Sequence, residues 1–114
     1  MRTVVSHCPI EEVMRVLSGR WPTLLIYYLV GGSRRFSDLR RDNPTISHRI
    51  LTLELRKLEA AGIVAREERV GFPRHVAYAL TDAGRRLLPA LSALGAWWKA
   101  ERAAAEDPLR VVAS

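Results

Sequence analysis

Several features that mark common classes of protein are scarce or missing in this sequence of 114 residues. It has one cysteine, Cys8, which excludes an internal disulfide framework and cannot build a zinc cluster alone. Its three histidines lack metal-ligand spacing, and no glycine-rich phosphate loop is present. The longest apolar run, 24–30, is far shorter than the roughly 20 residues of a membrane span. We therefore expect no catalytic activity, no cofactor, no metal and no membrane span.

The composition is that of one ordinary globular domain, which we expect to cover residues 1–114. The first seven residues lack the apolar core of a secretion signal, so we expect a cytoplasmic protein. The net charge is +6, and residues 33–75 carry +4 of it, with ten Lys or Arg against six Asp or Glu. A local surplus of positive charge is typical of a surface that binds a polyanion, although a solvated surface of mixed charge has the same count.

Apolar spacing and helix-ending residues predict helices at both ends of the chain and a β-hairpin between them. Pro9 opens the first helix, and a second, apolar almost all round, begins near Pro22 and should be the central buried helix. Ser37 is a candidate N-cap for a short helix, which Asn43-Pro44 ends. The predicted helices cover about 10–18, 22–30, 37–41, 47–61 and 82–104, with a short strand at 34–36 and hairpin strands at 63–70 and 76–80.

A short helix, a tight turn and a longer helix followed by a hairpin form the layout of a winged helix-turn-helix domain. The sequence therefore predicts a mainly α fold with a small β-hairpin, in which 47–61 is the recognition helix and 63–80 is the wing. Such a domain places its recognition helix in the major groove of duplex DNA.

The predicted recognition helix has an apolar arc and a polar arc when its residues are placed at 100° intervals. The polar arc can bond to base edges, because arginine binds guanine through two hydrogen bonds and threonine offers a hydroxyl or a methyl group. A helix face that is merely solvated has the same pattern. The β-hairpin predicted directly after the helix favours the DNA-binding interpretation. The apolar arc holds Ile50, Leu51, Leu55 and Leu58, and the candidate base contacts are Ser47, His48, Arg49, Thr52 and Arg56.

Other basic or polar residues flank this helix and are candidates for contacts to DNA phosphates, which position a protein without reading sequence. Those in the predicted wing can reach a minor groove or the adjacent backbone, although Glu67 and Glu68 make the wing less basic. Ordinary surface charge is the alternative for each of them. The candidates are Arg34, Arg35, Ser37, Arg40 and Arg41 near the short helix, and Arg69, Arg74 and His75 in the wing.

Short motifs that open, cap and pack the predicted helices stand in a fixed order over about ninety residues. They are Cys8-Pro9, Gly19-Arg20-Trp21, Arg35-Phe36-Ser37-Asp38-Leu39, Ile46-Ser47, Leu51-Thr52, Leu55-Arg56, Leu58-Glu59, Ala61-Gly62-Ile63-Val64, Tyr78, Leu80-Thr81, Gly84, Leu88-Pro89, Leu94 and Trp97. With this set the chain resembles the HxlR-type helix-turn-helix regulators, which are bacterial repressors and activators related to the MarR-like winged-helix group.

The resemblance implies a nucleoid-associated transcriptional regulator that dimerises through its first and last helices, about 10–18 and 82–104. Two recognition helices would then meet a pseudo-palindromic operator in double-stranded DNA. The chain departs from the family pattern in two places. Glu54 stands where the family usually has a basic residue, and the wing, 69–75, lacks the commoner double proline.

The last predicted helix holds more leucines and tryptophans than a terminal helix on so small a body needs. This surplus favours a seam between two copies, and the core of a single chain is the alternative. Trp21, Tyr27 and Tyr28 can line a pocket for a small-molecule effector between the helices or belong to the core. The candidate seam consists of Val13, Met14, Leu17, Leu91, Leu94, Trp97 and Trp98.

Cys8 precedes Pro9 at the expected start of the first helix, where the helix dipole and free amide groups favour a thiolate. The resemblance implies a candidate sensor of oxidants or electrophiles, since several relatives use a cysteine at this place. A small apolar residue at a helix start is the alternative.

A winged helix that binds protein rather than DNA is the rival function, because the fold alone does not fix the partner. Leu53, at the edge of the polar arc, favours that rival. The arginines at 49 and 56, together with Arg40 and Arg41, favour DNA.

Overall fold

The computed structural model describes residues 8–71 and 75–106, and the predicted DNA contact Arg74 lies outside them. Five helices and three strands follow one another in the described residues. They are α1 (Pro9–Leu17), α2 (Pro22–Tyr28), β1 (Arg34–Arg35), α3 (Phe36–Asp42), α4 (His48–Ala60), β2 (Val64–Arg69), β3 (His75–Leu80) and α5 (Asp82–Ala105). None of these helices is long and apolar enough to cross a membrane.

The strands form one antiparallel sheet in the order β1-β3-β2. Strand β2 pairs with β3 over its whole length, from Val64 opposite Leu80 to Arg69 opposite His75. Strand β1 adds to the other edge of β3, with Arg34 opposite Tyr78. The predicted mainly α fold with a wing is therefore present, but the predicted hairpin is two strands of a three-stranded sheet.

Helix α2 supplies three fully buried side chains to the core, Pro22, Leu25 and Ile26, and its C-cap residue Leu29 is also fully buried. Its other face is exposed at Leu24 and Tyr27. The helix predicted to be the central buried one is thus buried on one face only, because the described fold does not cover the other face of this seven-residue helix.

Ser37 is not the N-cap of the short helix. Helix α3 begins at Phe36, its N-cap is Arg35, and no side chain caps it. The reason is that Arg35 still pairs with Ala77 in the sheet, so the chain passes directly from strand to helix. Ser37 therefore lies in the first turn of α3, where it is exposed.

Two residues of the predicted dimer seam belong to the core of the single chain. Leu17 and Leu91 are each 8% exposed and lie in the main hydrophobic cluster, and Val13 packs partly buried against it. Leu17 is buried because α1 lies on α2, and Leu91 because the first half of α5 lies on the body of the domain. We therefore assign Leu17 and Leu91 to the core and not to the seam.

The second half of α5 extends away from this core. Gly84 and Leu91 are the only buried residues of the helix, and nearly every residue from 92 to 106 is exposed. Trp97 and Trp98, with ring centroids 6.2 Å apart, lie in this half. The guanidinium of Arg102 lies 4.3 Å from the ring centroid of Trp98.

The first turn of α5 is fastened to the turn between α4 and β2. The Thr81 hydroxyl donates to the carbonyl of Gly62 and accepts the amide of Gly84 at 3.0 Å. The Thr81 amide in turn donates to the Ile63 carbonyl at 3.0 Å. Gly84 fits against this carbonyl because it has no side chain.

We predict that Gly84→Ala destabilises the protein, because the added Cβ would clash with the carbonyl oxygen of Ile63. Overpacking of this kind costs about 1–3 kcal/mol in free energy of unfolding. Gly95→Ala is the matched control, since a Cβ there meets nothing within 4 Å and alanine favours the helix by up to about 1 kcal/mol. Urea unfolding followed by circular dichroism measures both, and equal stabilities for the two variants would contradict the packing described here.

Candidate nucleic-acid interface

Helix α4 is held against the core by three fully buried leucines, Leu51, Leu55 and Leu58. Its start is fixed by Ser47, whose hydroxyl oxygen accepts the amide of Ile50 at 3.1 Å. An N-cap of this kind satisfies one of the helix's unpaired amides. Ser47, a predicted DNA contact, therefore has a structural task in the chain itself.

The turn between α3 and α4 is set by a buried asparagine. The side-chain amide of Asn43 donates to the backbone carbonyl of Leu39 at 2.8 Å, and the backbone carbonyl of Asn43 accepts the amide of Ile46 at 3.0 Å. Ile46 is itself buried. These bonds satisfy the polar groups of a buried turn and fix the angle at which α4 leaves α3.

The outward face of α4 differs from its prediction at Ile50, which is 38% exposed. The predicted apolar arc is too wide, because the buried leucines at 51, 55 and 58 centre the core-facing side away from Ile50. The middle of the outward face holds Arg49, Arg56 and, 49% exposed, Leu53.

Two predicted base contacts lie at the side of α4 rather than at the centre of its outward face. The Thr52 hydroxyl donates to the His48 carbonyl at 2.8 Å, so its proton is used within the helix. The His48 ring packs against Phe36 of α3, with centroids 4.8 Å apart. These contacts orient both side chains toward the space between α3, α4 and the sheet.

That space is an open cavity of about 500 Å³, and it brings together predicted residues from three elements. A neighbouring cavity of about 490 Å³ extends the same concave surface over the helix-turn-helix. The first is lined by Phe36, Ser37, His48, Thr52, Arg56, Glu59, Arg66, His75, Val76 and Tyr78, and the second by Phe36, Ser37, Arg40, Arg41, Pro44 and His48.

The predicted arginines differ in how much of their charge is already compensated. Within residues 8–71 and 75–106, Arg40, Arg49 and Arg56 are exposed and have no carboxylate at ion-pair distance. Arg34 is instead paired with Asp42. Arg41 lies 3.1 Å from Asp38, so the uncompensated basic surface centres on α4 and on Arg40 in the last turn of α3.

The wing compensates its own charge on strand β2. Arg66 lies 3.2 Å from Glu68, and Arg69 lies 3.5 Å from Glu67. The hydrogen bond that the Arg66 guanidinium donates to the Glu68 carboxylate raises the pKa of Arg66 above its ordinary value. Sequence reasoning overlooked Arg66, although alternate residues of a strand share a face and this pairing follows that period.

Glu54, the departure from the family pattern, is partnered within α4. Its carboxylate lies 2.9 Å from the ammonium of Lys57, one helical turn away. The acidic residue therefore makes an internal ion pair.

The remaining predicted residues lie on α1 and α5. Cys8 is exposed and is the N-cap residue of α1, and its carbonyl accepts the amide of Glu12 at 3.1 Å. Met14, Leu94, Trp97 and Trp98 are exposed. In the described part of the chain, no three His, Cys, Asp or Glu side chains are grouped to hold a metal ion.

Comparison with known proteins agrees with this arrangement of helices and wing. The sequence model of the HxlR-like helix-turn-helix family matches residues 16–106. The chain belongs to this family. It is a transcriptional regulator of the helix-turn-helix type and not an enzyme. It is 42% identical over 95 residues to the HTH-type transcriptional regulator YybR of Bacillus subtilis (strain 168), covering 83% of this chain and 76% of YybR.

Two solved structures of regulators are also similar to this HxlR-like chain. The reduced form of the redox regulator HypR superposes with a TM-score of 0.74 at 41% identity, over 83% of this chain and 94% of HypR. The reduced form of the transcriptional regulator YodB from B. subtilis gives 0.74 at 33% identity, over 81% of this chain and 91% of YodB.

Proposed function

We propose that two copies of this chain bind a pseudo-palindromic operator in double-stranded DNA, with one α4 in each of two successive major grooves. The observation that carries this proposal is the outward face of α4. It bears Arg49 and Arg56 without a carboxylate at ion-pair distance in the described residues, on a helix whose opposite face is fully buried. Arginine in this position can bind the O6 and N7 atoms of guanine. Action on the chromosome would put the protein in the bacterial cytoplasm, at the nucleoid.

Contacts to phosphates are assigned to the concave surface beside α4. Arg40 is exposed there with its charge available, and Arg35 lies exposed at the start of α3. Arg34 and Arg41 would first have to leave their carboxylates, so we assign them smaller roles. Arg69 and His75 remain candidates for a contact at the wing, and Arg74 lies outside the described residues.

We predict different effects from Arg49→Ala and Arg40→Ala in a titration of labelled duplex DNA. A base contact contributes about 1–3 kcal/mol to binding. Arg49→Ala should therefore lower the affinity for the preferred duplex and reduce the ratio of its affinity to that for random duplex. Arg40→Ala should lower the affinity for both duplexes by the same factor and reduce the slope of log affinity against log salt concentration by about one unit. The preferred duplex comes from selection out of a random pool by the wild-type protein. Identical effects of the two substitutions would mean that α4 does not read the bases.

The proposed dimer is supported by the half of α5 that extends beyond the core. An isolated helix as short as this half of α5 is only marginally stable in water without packing. This half nevertheless exposes Leu94, Trp97 and Trp98. On α1, Met14 is also exposed, and a groove of about 440 Å³ runs between α1 and α5. Covering these side chains with a second copy would remove a large apolar patch from water.

We predict that Trp98→Ala shifts the protein toward monomers in light scattering at micromolar concentration. Truncation of a tryptophan at the centre of an interface commonly costs 2 kcal/mol or more, which is about a thirtyfold change in the dimer constant. Tyr27→Ala is the matched control, since Tyr27 and Trp98 are both 55% exposed but Tyr27 lies on α2. A wild-type protein that is monomeric under these conditions would exclude the dimer.

We further propose that oxidation of Cys8 alters DNA affinity. The chain is similar in structure to HypR and YodB, of which HypR is named a redox regulator and YodB has been solved in a reduced and a diamide-treated form. Cys8 is exposed at the start of α1, the helix that also carries Met14 of the proposed seam. A modification at this thiol would therefore bear on dimer packing.

Diamide treatment should change the affinity of the wild-type protein for its preferred duplex, and reduction with a thiol should restore it. Cys8→Ser should bind like the reduced wild type before and after treatment, because serine does not form disulfides. Binding that diamide leaves unchanged, or changes equally in Cys8→Ser, would show that Cys8 is a structural residue only.

A small-molecule effector stays a prediction with less support. Trp21 and Tyr28 pack partly buried against the core, while Tyr27 is exposed. The three aromatic residues are therefore not gathered around one space.

A further inference from the structure

We infer that Leu53, assisted by Ile50, reads the C5-methyl groups of thymine in the operator. This inference rests on the proposed function, because it names the bases that the outward face of α4 selects. Leu53 was the residue that favoured a protein partner when the sequence was considered alone. Its position in the folded helix points instead to the floor of the major groove.

Leu53 lies at the centre of the outward face, between two arginines. It follows Arg49 by four residues and precedes Arg56 by three, and side chains at these spacings are neighbours on a helix. It is 49% exposed, and the described residues leave no carboxylate at ion-pair distance from either arginine. A partner that meets Leu53 therefore meets both arginines, which requires a polyanion with apolar groups on its surface.

Duplex DNA is such a partner, since its major groove presents phosphates at the rim and thymine methyl groups on the floor. Ile50 extends the apolar area, because it precedes Leu53 by three residues and is also exposed. One isolated leucine on a surface is ordinary, but two neighbouring aliphatic side chains between arginines on an anchored helix form a contact surface.

Two polar side chains at the side of α4 already make contacts within the chain. The Thr52 hydroxyl proton is used by the His48 carbonyl, and the His48 ring packs against Phe36. Arginine selects guanine. The outward face is therefore suited to operators in which guanine is accompanied by thymine.

Replacement of thymine by deoxyuridine tests this inference, because it removes only the methyl group. Full-length protein selects its preferred duplex from a random pool, and each thymine of that duplex is then replaced singly by deoxyuridine. Fluorescence anisotropy at one salt concentration measures the dissociation constants. We expect at least one replacement in each half-site to weaken wild-type binding by about fourfold, the value of one buried methyl group.

Leu53→Ala should bind the thymine-containing duplex less tightly than the wild type does. Its dissociation constant should not change when the sensitive thymine is replaced by deoxyuridine. Leu24→Ala, a leucine truncation on the exposed side of α2, should respond like the wild type. Three results would overturn the inference even if the protein still binds a preferred duplex. The selected half-sites could lack thymine, no deoxyuridine replacement could change wild-type binding, or Leu53→Ala could respond to the replacement as strongly as the wild type. Failure to select any preferred duplex would instead overturn the proposed function, and the inference with it.

Discussion

The junction between the end of α4 and the first turn of α5 holds together the parts of this protein that have separate tasks. Thr81 bonds to Gly62, Ile63 and Gly84, and Gly84 leaves room for the Ile63 carbonyl. Helix α4, strand β2 and helix α5 therefore meet through backbone groups and the short side chain of Thr81. If two copies pack through α5 as proposed, a change in that packing would reach α4 through this junction.

Much of this arrangement could be predicted from the sequence, because burial has a period that the chain displays. The leucines at 51, 55 and 58 predicted the buried face of α4, and the change of apolar spacing after Gly62 predicted the strands β2 and β3. The prediction was wrong where a tertiary contact decides the outcome. Ser37 lost its cap because β1 pairs with β3, and Leu17 and Leu91 are buried by neighbours far away in the chain. No local pattern contains that information.

The number of charged residues in the sequence was a poor guide to the charge available on the surface. Residues 33–75 carry a surplus of positive charge, but several of their arginines are matched by carboxylates on the same element or on its neighbour. Among the described residues of this range, the charge without a carboxylate at ion-pair distance lies on α4 and beside it, next to the exposed aliphatic side chains. Under the proposed function, electrostatic attraction and base discrimination would be concentrated on this small face.

The extension of α5 beyond the core has a consequence for how such regulators diverge. In a dimer joined through α5, the distance between the two recognition helices is a property of α5, whereas the bases selected are a property of α4. In such a dimer, the spacing of the operator and the bases within each half-site would be encoded in different segments of the chain. A duplicated copy can acquire a new operator by changing a few outward residues of one helix while its partner geometry is inherited intact.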